Sequence, residues 1–184
     1  KIDSHEKVVW PRSIGGPDFE NEISLNVYKG DLFVTAKFSG TTDEDPGPST
    51  HSFTNAGIPY VDDIFFGKYN SANGYLVWAR QLNDVATWSS TSIGAGKEWV
   101  FPTGYFTGTA DFNPGPRTSL LTSFGNQDIF LAKYTLNGNF VWAEQIGGFD
   151  NDVPWGLLLD ESVIYLHGSN DKRVNPEGVF DRPR

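Results

Sequence analysis

The sequence has no cysteine and no methionine. Without cysteine there is no disulfide framework, no thiolate metal site and no cysteine nucleophile. Basic side chains are scarce: 14 Lys and Arg stand against 23 Asp and Glu, a formal net charge of −9 over 184 residues. That balance argues against a phosphate backbone or an anionic membrane surface as partner, so no nucleic acid is expected. No apolar run approaches the roughly 20 residues that cross a bilayer, so no membrane insertion is expected. No segment carries a convincing amphipathic helical period. The missing Met, with a start at Lys1-Ile2-Asp3, predicts that residue 1 is not the natural start of translation. What the chain does have is 14 Phe, 7 Tyr, 6 Trp, 20 Gly and 11 Pro. It is too aromatic, and too little charged, for a disordered polymer. The length suits one domain, or part of a larger repetitive one.

The chain repeats itself. Trp10, Trp78 and Trp142 recur at intervals of 68 and 64 residues. Each opens a similar run: Trp-Pro-Arg-Ser-Ile-Gly-Gly at 10–16, Trp-Ala-Arg-Gln-Leu-Asn-Asp at 78–84 and Trp-Ala-Glu-Gln-Ile-Gly-Gly at 142–148. A loop beginning Phe38-Ser39-Gly40-Thr41 and reading Asp43-Glu44-Asp45-Pro46-Gly47-Pro48 matches one beginning Phe106-Thr107-Gly108-Thr109 and reading Asp111-Phe112-Asn113-Pro114-Gly115-Pro116. Asp63-Ile64-Phe65-Phe66-Gly67-Lys68-Tyr69 matches Asp128-Ile129-Phe130-Leu131-Ala132-Lys133-Tyr134, and an Asn-Gly pair follows each (73–74 and 137–138).

One unit contains about four short β-branched and aromatic runs, near 87–93, 98–104, 128–135 and 139–145 in the second copy. Asn137-Gly138 between the last two predicts a tight type I′ hairpin. The third run is apolar on both faces, as expected of a sheet covered on both sides. Gly67 and Ala132 sit where a neighbouring sheet could approach closely. The repeated Trp would fill the wedge between sheets, its indole N–H needing one acceptor. Four antiparallel strands per unit, repeated, predict an all-β propeller. The expected division is the last strand of a preceding blade within 1–16 (residues 7–14), a blade at 17–82, a blade at 83–146, and the first half of another at 147–184. That is about 2.7 blades, where closed rings have about four to eight. The chain is therefore expected to be completed by further sequence or by other chains.

The run 128–134, then Asn137-Gly138-Asn139-Phe140-Val141-Trp142-Ala143-Glu144-Gln145-Ile146-Gly147-Gly148, resembles the bacterial SBBP repeat, a family named for seven-bladed β-propellers. Asp31–Ala36, Val100–Gly104 and Val163–Gly168 are similar to its Gly-Asn-Val-Tyr-Val-Thr-Gly-like strand. The resemblance covers most of the chain. It implies secreted or cell-surface bacterial proteins, often large and repetitive, and brings no catalytic motif. The departures are Asn83-Asp84 in place of Gly-Gly, Pro102 inside a strand, which suggests a bulge or an edge, and a short third loop at 175–178 with Arg173 where the Asp would be.

Candidate sites are few. Asp43 with Asp45, and Asp111 with Asn113, place two oxygen side chains at i and i+2 in a turn, a pattern that suits Ca²⁺. Asp and Asn before Pro also cap turns, and calcium needs about six to eight oxygens, so turn chemistry is the simpler account. Asp18, Glu20 and Asn21, and later Asp150, Asn151 and Asp152, follow the Gly-Gly exits. They read first as solvated loops, with an acidic rim or another weak cation site as the alternative. His5, His51 and His167 do not recur at metal spacing and read as structural. Asp63 and Asp128 open equivalent strands and are expected to accept backbone or Trp N–H bonds. Trp88, Trp99, Trp155 and Tyr60 have no repeat equivalents and read equally as exposed glycan or protein contacts and as loop packing. No nucleophile elbow, P-loop, HExxH or dinucleotide fingerprint occurs.

The function expected is that of a non-catalytic scaffold: a secreted or cell-surface propeller segment in self-assembly or adhesion, with its own copies or other proteins as partners. The periplasm is the other compartment consistent with it. The alternative is a glycan- or peptide-binding propeller module. A hydrolase or lyase with its active site outside this segment ranks third.

Overall fold

The computed structural model describes residues 1–18, 20–55, 62–86, 92–160 and 163–169, and every regular element among them is a β-strand. In the first unit these are β1 (Glu20–Tyr28), β2 (Asp31–Phe38), β3 (Thr41–Asp43), β4 (Ser52–Thr54), β5 (Asp62–Asn70) and β6 (Leu76–Ala86). β1-β2-β5-β6 form a four-stranded antiparallel sheet, and β3–β4 is a small hairpin inserted at its middle connection. The second unit repeats this with β7 (Ser92–Gly96), β8 (Trp99–Phe106), β9 (Thr109–Asp111), β10 (Leu120–Thr122), β11 (Asp128–Thr135) and β12 (Phe140–Ile146). Here the sheet is β7-β8-β11-β12 and the inserted hairpin is β9–β10. A two-stranded hairpin, β13 (Val153–Asp160) with β14 (Val163–Ser169), follows.

The sequence period is thus the period of a structural unit. The runs read at 98–104, 128–135 and 139–145 become β8, β11 and β12, each to within two residues. The first run, 87–93, overlaps the start of β7, and its residues 87–91 lie outside the described set.

The third strand of each unit is apolar on both faces because both faces are covered. In β5 and β11 every residue from Asp63 to Gly67 and from Asp128 to Ala132 is buried. Phe33, Ile64, Phe66 and Leu82 of the first sheet share one core with Ile93, Val100, Phe130 and Tyr134 of the second. The Phe66 and Tyr134 rings meet at 4.4 Å across it. Each such side chain contributes about 1.5–3 kcal/mol by leaving water, so the contact between sheets carries much of the stability. Two buried hydroxyls at equivalent positions are satisfied inside the sheets: Thr35 Oγ1 donates to the Phe65 carbonyl at 2.9 Å and Thr103 Oγ1 to the Phe130 carbonyl at 2.6 Å.

Among the described residues, 7–14 make one ladder contact, an isolated bridge between Ile2 and Val8, and the Trp10 side chain attaches the segment to the first unit. Two expectations need correction. The Asn-Gly hairpins are not type I′, because Gly74 and Gly138 have positive φ (77° and 75°) whereas Asn73 and Asn137 do not. Gly138 N–H donates to the Thr135 carbonyl and Thr135 N–H to the Asn139 carbonyl, giving a three-residue loop that ends in a glycine bulge. Two adjacent positive φ values fall instead at Lys29 and Gly30, in the β1–β2 turn. Finally, Pro102 lies in an interior strand, at neither an edge nor a bulge. The β8–β11 ladder keeps its register from Leu131–Thr103 to Tyr134–Val100 and skips the two positions between, where Pro102 has no N–H to give.

Candidate functional site

The marker tryptophans are joints between units. Trp78, on β6, donates its indole N–H to the Leu136 carbonyl in the β11–β12 loop at 3.1 Å. A Cβ on Gly138 would come within 2.9 Å of the Trp78 ring, so glycine is required there for space as well as for φ. Arg80 Nε donates to the Gly138 carbonyl at 3.3 Å. Trp10 repeats this joint one unit earlier. Its indole N–H reaches the Ser71 carbonyl at 3.2 Å, its ring lies where a Cβ on Gly74 would be (2.9 Å), and Arg12 Nε donates to the Asn73 carbonyl at 3.2 Å. Trp142 is third in the series. Its ring meets Phe101 at 6.3 Å, and among the described residues its indole N–H has no acceptor.

Asp63 and Asp128 are wholly buried; each accepts from a glutamine, and Asp128 also takes a backbone N–H as expected. Gln81 Nε2 donates to Asp63 Oδ2 at 2.6 Å, and Gln145 Nε2 donates to Asp128 Oδ2, which also receives the Phe124 N–H at 3.0 Å. The glutamine stands three residues after the marker Trp in both units. That spacing puts it on the strand beside the aspartate, a signal the sequence reading passed over.

The two Pro-Gly-Pro loops are built alike. Asp43 Oδ1 accepts the backbone N–H of Asp45 (3.0 Å) and of His51 (2.8 Å), and Asp45 Oδ1 accepts that of Gly47 (2.8 Å). Asp111 Oδ1 accepts from Asn113 (3.0 Å) and Ser119 (2.8 Å), and Asn113 Oδ1 from Gly115 (2.9 Å). These are Asx turns that close the hairpin stems. Among the described residues no group of three or more His, Asp or Glu is placed to hold a metal ion.

The carboxylates after the Gly-Gly exits are also tied down. Glu20 Oε1 accepts the Gly16 N–H at 2.6 Å and Asp152 Oδ2 accepts the Gly148 N–H at 2.8 Å, each four residues back. In the first unit this exit folds onto β3, where Gly15 and Asp43 exchange two backbone hydrogen bonds of 3.1 Å. The result is a polar cleft of about 380 Å³ lined by Ser13, Ile14, Gly15, Gly16, Glu20, Asp43 and Asp45.

Glu44, between the two cleft aspartates in sequence, is wholly buried, and among the described residues neither carboxyl oxygen has a hydrogen-bond partner. Its counterpart in the second unit is Phe112, also wholly buried, whose ring packs on Phe106 and Phe130. The tyrosine beneath is common to both: Tyr69 OH donates to the Glu44 carbonyl at 3.1 Å and Tyr134 OH to the Phe112 carbonyl at 2.6 Å. A carboxyl thus occupies a slot that is otherwise apolar. Burial pushes its pKa up to about 8, neighbouring Glu20 and Asp43 add to this, and the nearby Thr42 and Tyr69 hydroxyls offset it only in part. Glu44 is therefore mostly protonated at neutral pH, a state in which a carboxyl can donate a proton. The Tyr69 phenol is raised in turn, by burial first and then by Glu44. Glu44 was not among the sequence candidates. The Glu-for-Phe exchange within an otherwise matching loop was the signal.

Of the non-repeated aromatics, Trp88 and Tyr60 lie outside the described residues. Trp99 is not exposed but half-buried: Lys133 Nζ sits 3.9 Å from its ring centroid. In the first unit the same lysine position, Lys68, pairs with Asp31 at 2.8 Å, so Trp99 has a repeat equivalent, and a cation–π contact replaces an ion pair. Trp155 is 62% exposed, with the His167 ring at 6.3 Å. His51 packs edge-on to Phe53 at 5.1 Å, and His5 lies exposed beside Asp3, whose Oδ1 takes its N–H.

The class defined at this point is all-β, built of repeated four-stranded antiparallel units. No family model matches the chain, and no curated protein matches it.

Proposed function

We propose that the two sheets and the following hairpin are blades of a β-propeller of the SBBP kind. On this reading the chain serves as a non-catalytic scaffold at the bacterial cell surface or outside the cell, in self-assembly or adhesion. The observation that supports this most is the Trp joint made twice, by Trp10 and by Trp78, each on the loop of the next unit. A chain whose repeated residues serve unit-to-unit contact is organised around stacking. The cleft beside Asp43 is open and polar, and among the described residues neither carboxyl oxygen of the buried Glu44 has a hydrogen-bond partner.

The test uses beads coated with the purified chain. Clumping of beads, or their capture by bacterial cell envelopes, is expected, with no turnover on a panel of ester and glycoside substrates. Turnover lost on Glu44→Gln would replace the scaffold with an enzyme. A second reading, glycan or peptide binding, is favoured by Trp155, which lies exposed beside His167. It expects a hit on a glycan or peptide array that Trp155→Ala abolishes.

A further inference from the structure

Arg12 and Arg80 each stand two residues after a marker Trp, and their guanidinium groups are held alike. Nε donates to a carbonyl of the Asn-Gly turn, Asn73 for Arg12 (3.2 Å) and Gly138 for Arg80 (3.3 Å). Nη1 donates to the carbonyl of the preceding residue, Pro11 at 3.3 Å and Ala79 at 2.8 Å. Tyr75 and Asn139 are a second matched pair, each three residues before a marker Trp. The carbonyl of each takes a backbone N–H across its hairpin at 2.9 Å, from Asn70 and from Thr135. The backbone is thus alike at both places, and the side chains can be compared directly.

Beside Arg12 the space is filled. The Tyr75 ring centroid lies 4.6 Å from the guanidinium carbon, and the ring also rests on the Pro-Gly-Pro loop, where a Cβ on Gly47 would come within 3.2 Å of it. Asp45 of that loop adds a negative charge. Beside Arg80 three residues differ. Asn139 stands for Tyr75, and a Cβ on Gly115 would meet only Asn113 within 4 Å. Asn113 stands for Asp45, which removes the negative charge. Arg117 stands for Ser49, which adds a positive one. Arg117 is exposed and makes no hydrogen bond or ion pair among the described residues. The three exchanges together open a cleft of about 500 Å³ between Arg80, the loop 113–117, Asn139 and Phe140, a volume in the range of small-molecule sites. No Asp or Glu lines it, although the chain carries a net charge of −9.

We propose that this cleft is a binding site for a ligand that carries a flat ring beside a carboxylate. The ring takes the place that Tyr75 holds in the first unit, against the guanidinium of Arg80, where cation–π attraction favours it. The carboxylate pairs with Arg117, whose planar fork of donors matches its two oxygens. The amide of Asn113 is a further donor there, since only its Oδ1 is engaged, by the Gly115 N–H. The first unit is closed to the same ligand by its own tyrosine and repels it with Asp45. The proposal goes beyond the scaffold reading and does not depend on it.

The test is an amide NMR titration of the full chain with para-hydroxyphenylacetate, the tyrosine ring with a carboxylate attached. Saturable shifts are expected at Gly115, Arg117 and Asn139 but not at Gly47 or Tyr75, with a Kd of about 1 mM. Para-hydroxyphenylacetamide has the ring without the charge and acetate the charge without the ring, and each should bind roughly tenfold more weakly. N-acetyl-Gly-Tyr presents the same ring and carboxylate at a chain end. Tighter binding of the dipeptide supports the site with a peptide terminus as the source, and tighter binding of the free acid supports it with a small aromatic acid. Asn139→Tyr, which supplies the first unit's own ring, should abolish the shifts, and Arg117→Ser should weaken binding roughly tenfold. Both positions are exposed and the first unit carries these residues, so both variants should keep the wild-type melting temperature. The proposal is overturned by a wild type that shows no shifts up to about 10 mM, by an amide that binds as well as the acid, or by variants that bind as wild type does.

Discussion

A carboxyl in a phenylalanine's place is the sharpest feature at the residue scale. Glu44 loses its proton near pH 4.5 when unfolded and near 8 when folded. Between those values the folded chain holds the extra proton, so raising the pH favours unfolding. Stability should be highest below about pH 4.5 as far as this group is concerned, and should fall by on the order of 4 kcal/mol by pH 8. Denaturant titrations at several pH values check this, and Glu44→Gln should flatten that slope. Glycines make a second contrast. Gly30 and Gly138 both have positive φ, but a Cβ on Gly30 meets nothing within 4 Å while one on Gly138 meets the Trp78 ring. Gly30→Ala should cost about 1 kcal/mol, from backbone strain alone. Gly138→Ala should cost clearly more, measured by the same titration. The sequence alignment already set Glu44 against Phe112. Its meaning depended on knowing that Phe112 is buried, which loop composition conceals. Trp99 was misread for the same reason: its partner Lys133 lies on β11, across the sheet.

At the scale of elements, the sheets are tied at their ends by Asp–Gln pairs. Gln145→Ala would remove one of the two donors to Asp128 Oδ2, whose other carboxyl oxygen already has no partner. We expect a loss of about 1.5–3 kcal/mol. Asp128→Asn with Gln145 intact should cost less, and a double-mutant cycle read by thermal unfolding would separate the pair from its members. The strands themselves were largely legible. Apolar residues on both faces of 64–69 and 129–134 could mean only a doubly covered strand, and β5 and β11 are that. The segment 7–14 has the composition of a strand in Lys7-Val8-Val9-Trp10, but pairing is decided by what lies alongside, and Trp10 makes the same joint as Trp78. The Asn-Gly turns failed on turn type: the pair marks a hairpin, but the Trp packed on its glycine coincides with a longer, bulged loop.

For the whole molecule, the shared core makes neither sheet self-sufficient. Residues Ile64 and Phe66 are buried in the same cluster as Ile93, Phe130 and Tyr134. A chain of residues 80–143 alone exposes that surface and should show no cooperative unfolding transition by calorimetry. Trp78→Ala, which removes a joint between the sheets, should cost about 3–5 kcal/mol in the full chain. The leading segment 1–16 has a different standing. It is held at Trp10 and by the two hydrogen bonds between Gly15 and Asp43, outside both four-stranded ladders. Under tension it behaves as a tether with its own release point. Pulled from residue 1 in an optical trap, it should come away first, paying out about 50 Å of chain, while both sheets still bear load.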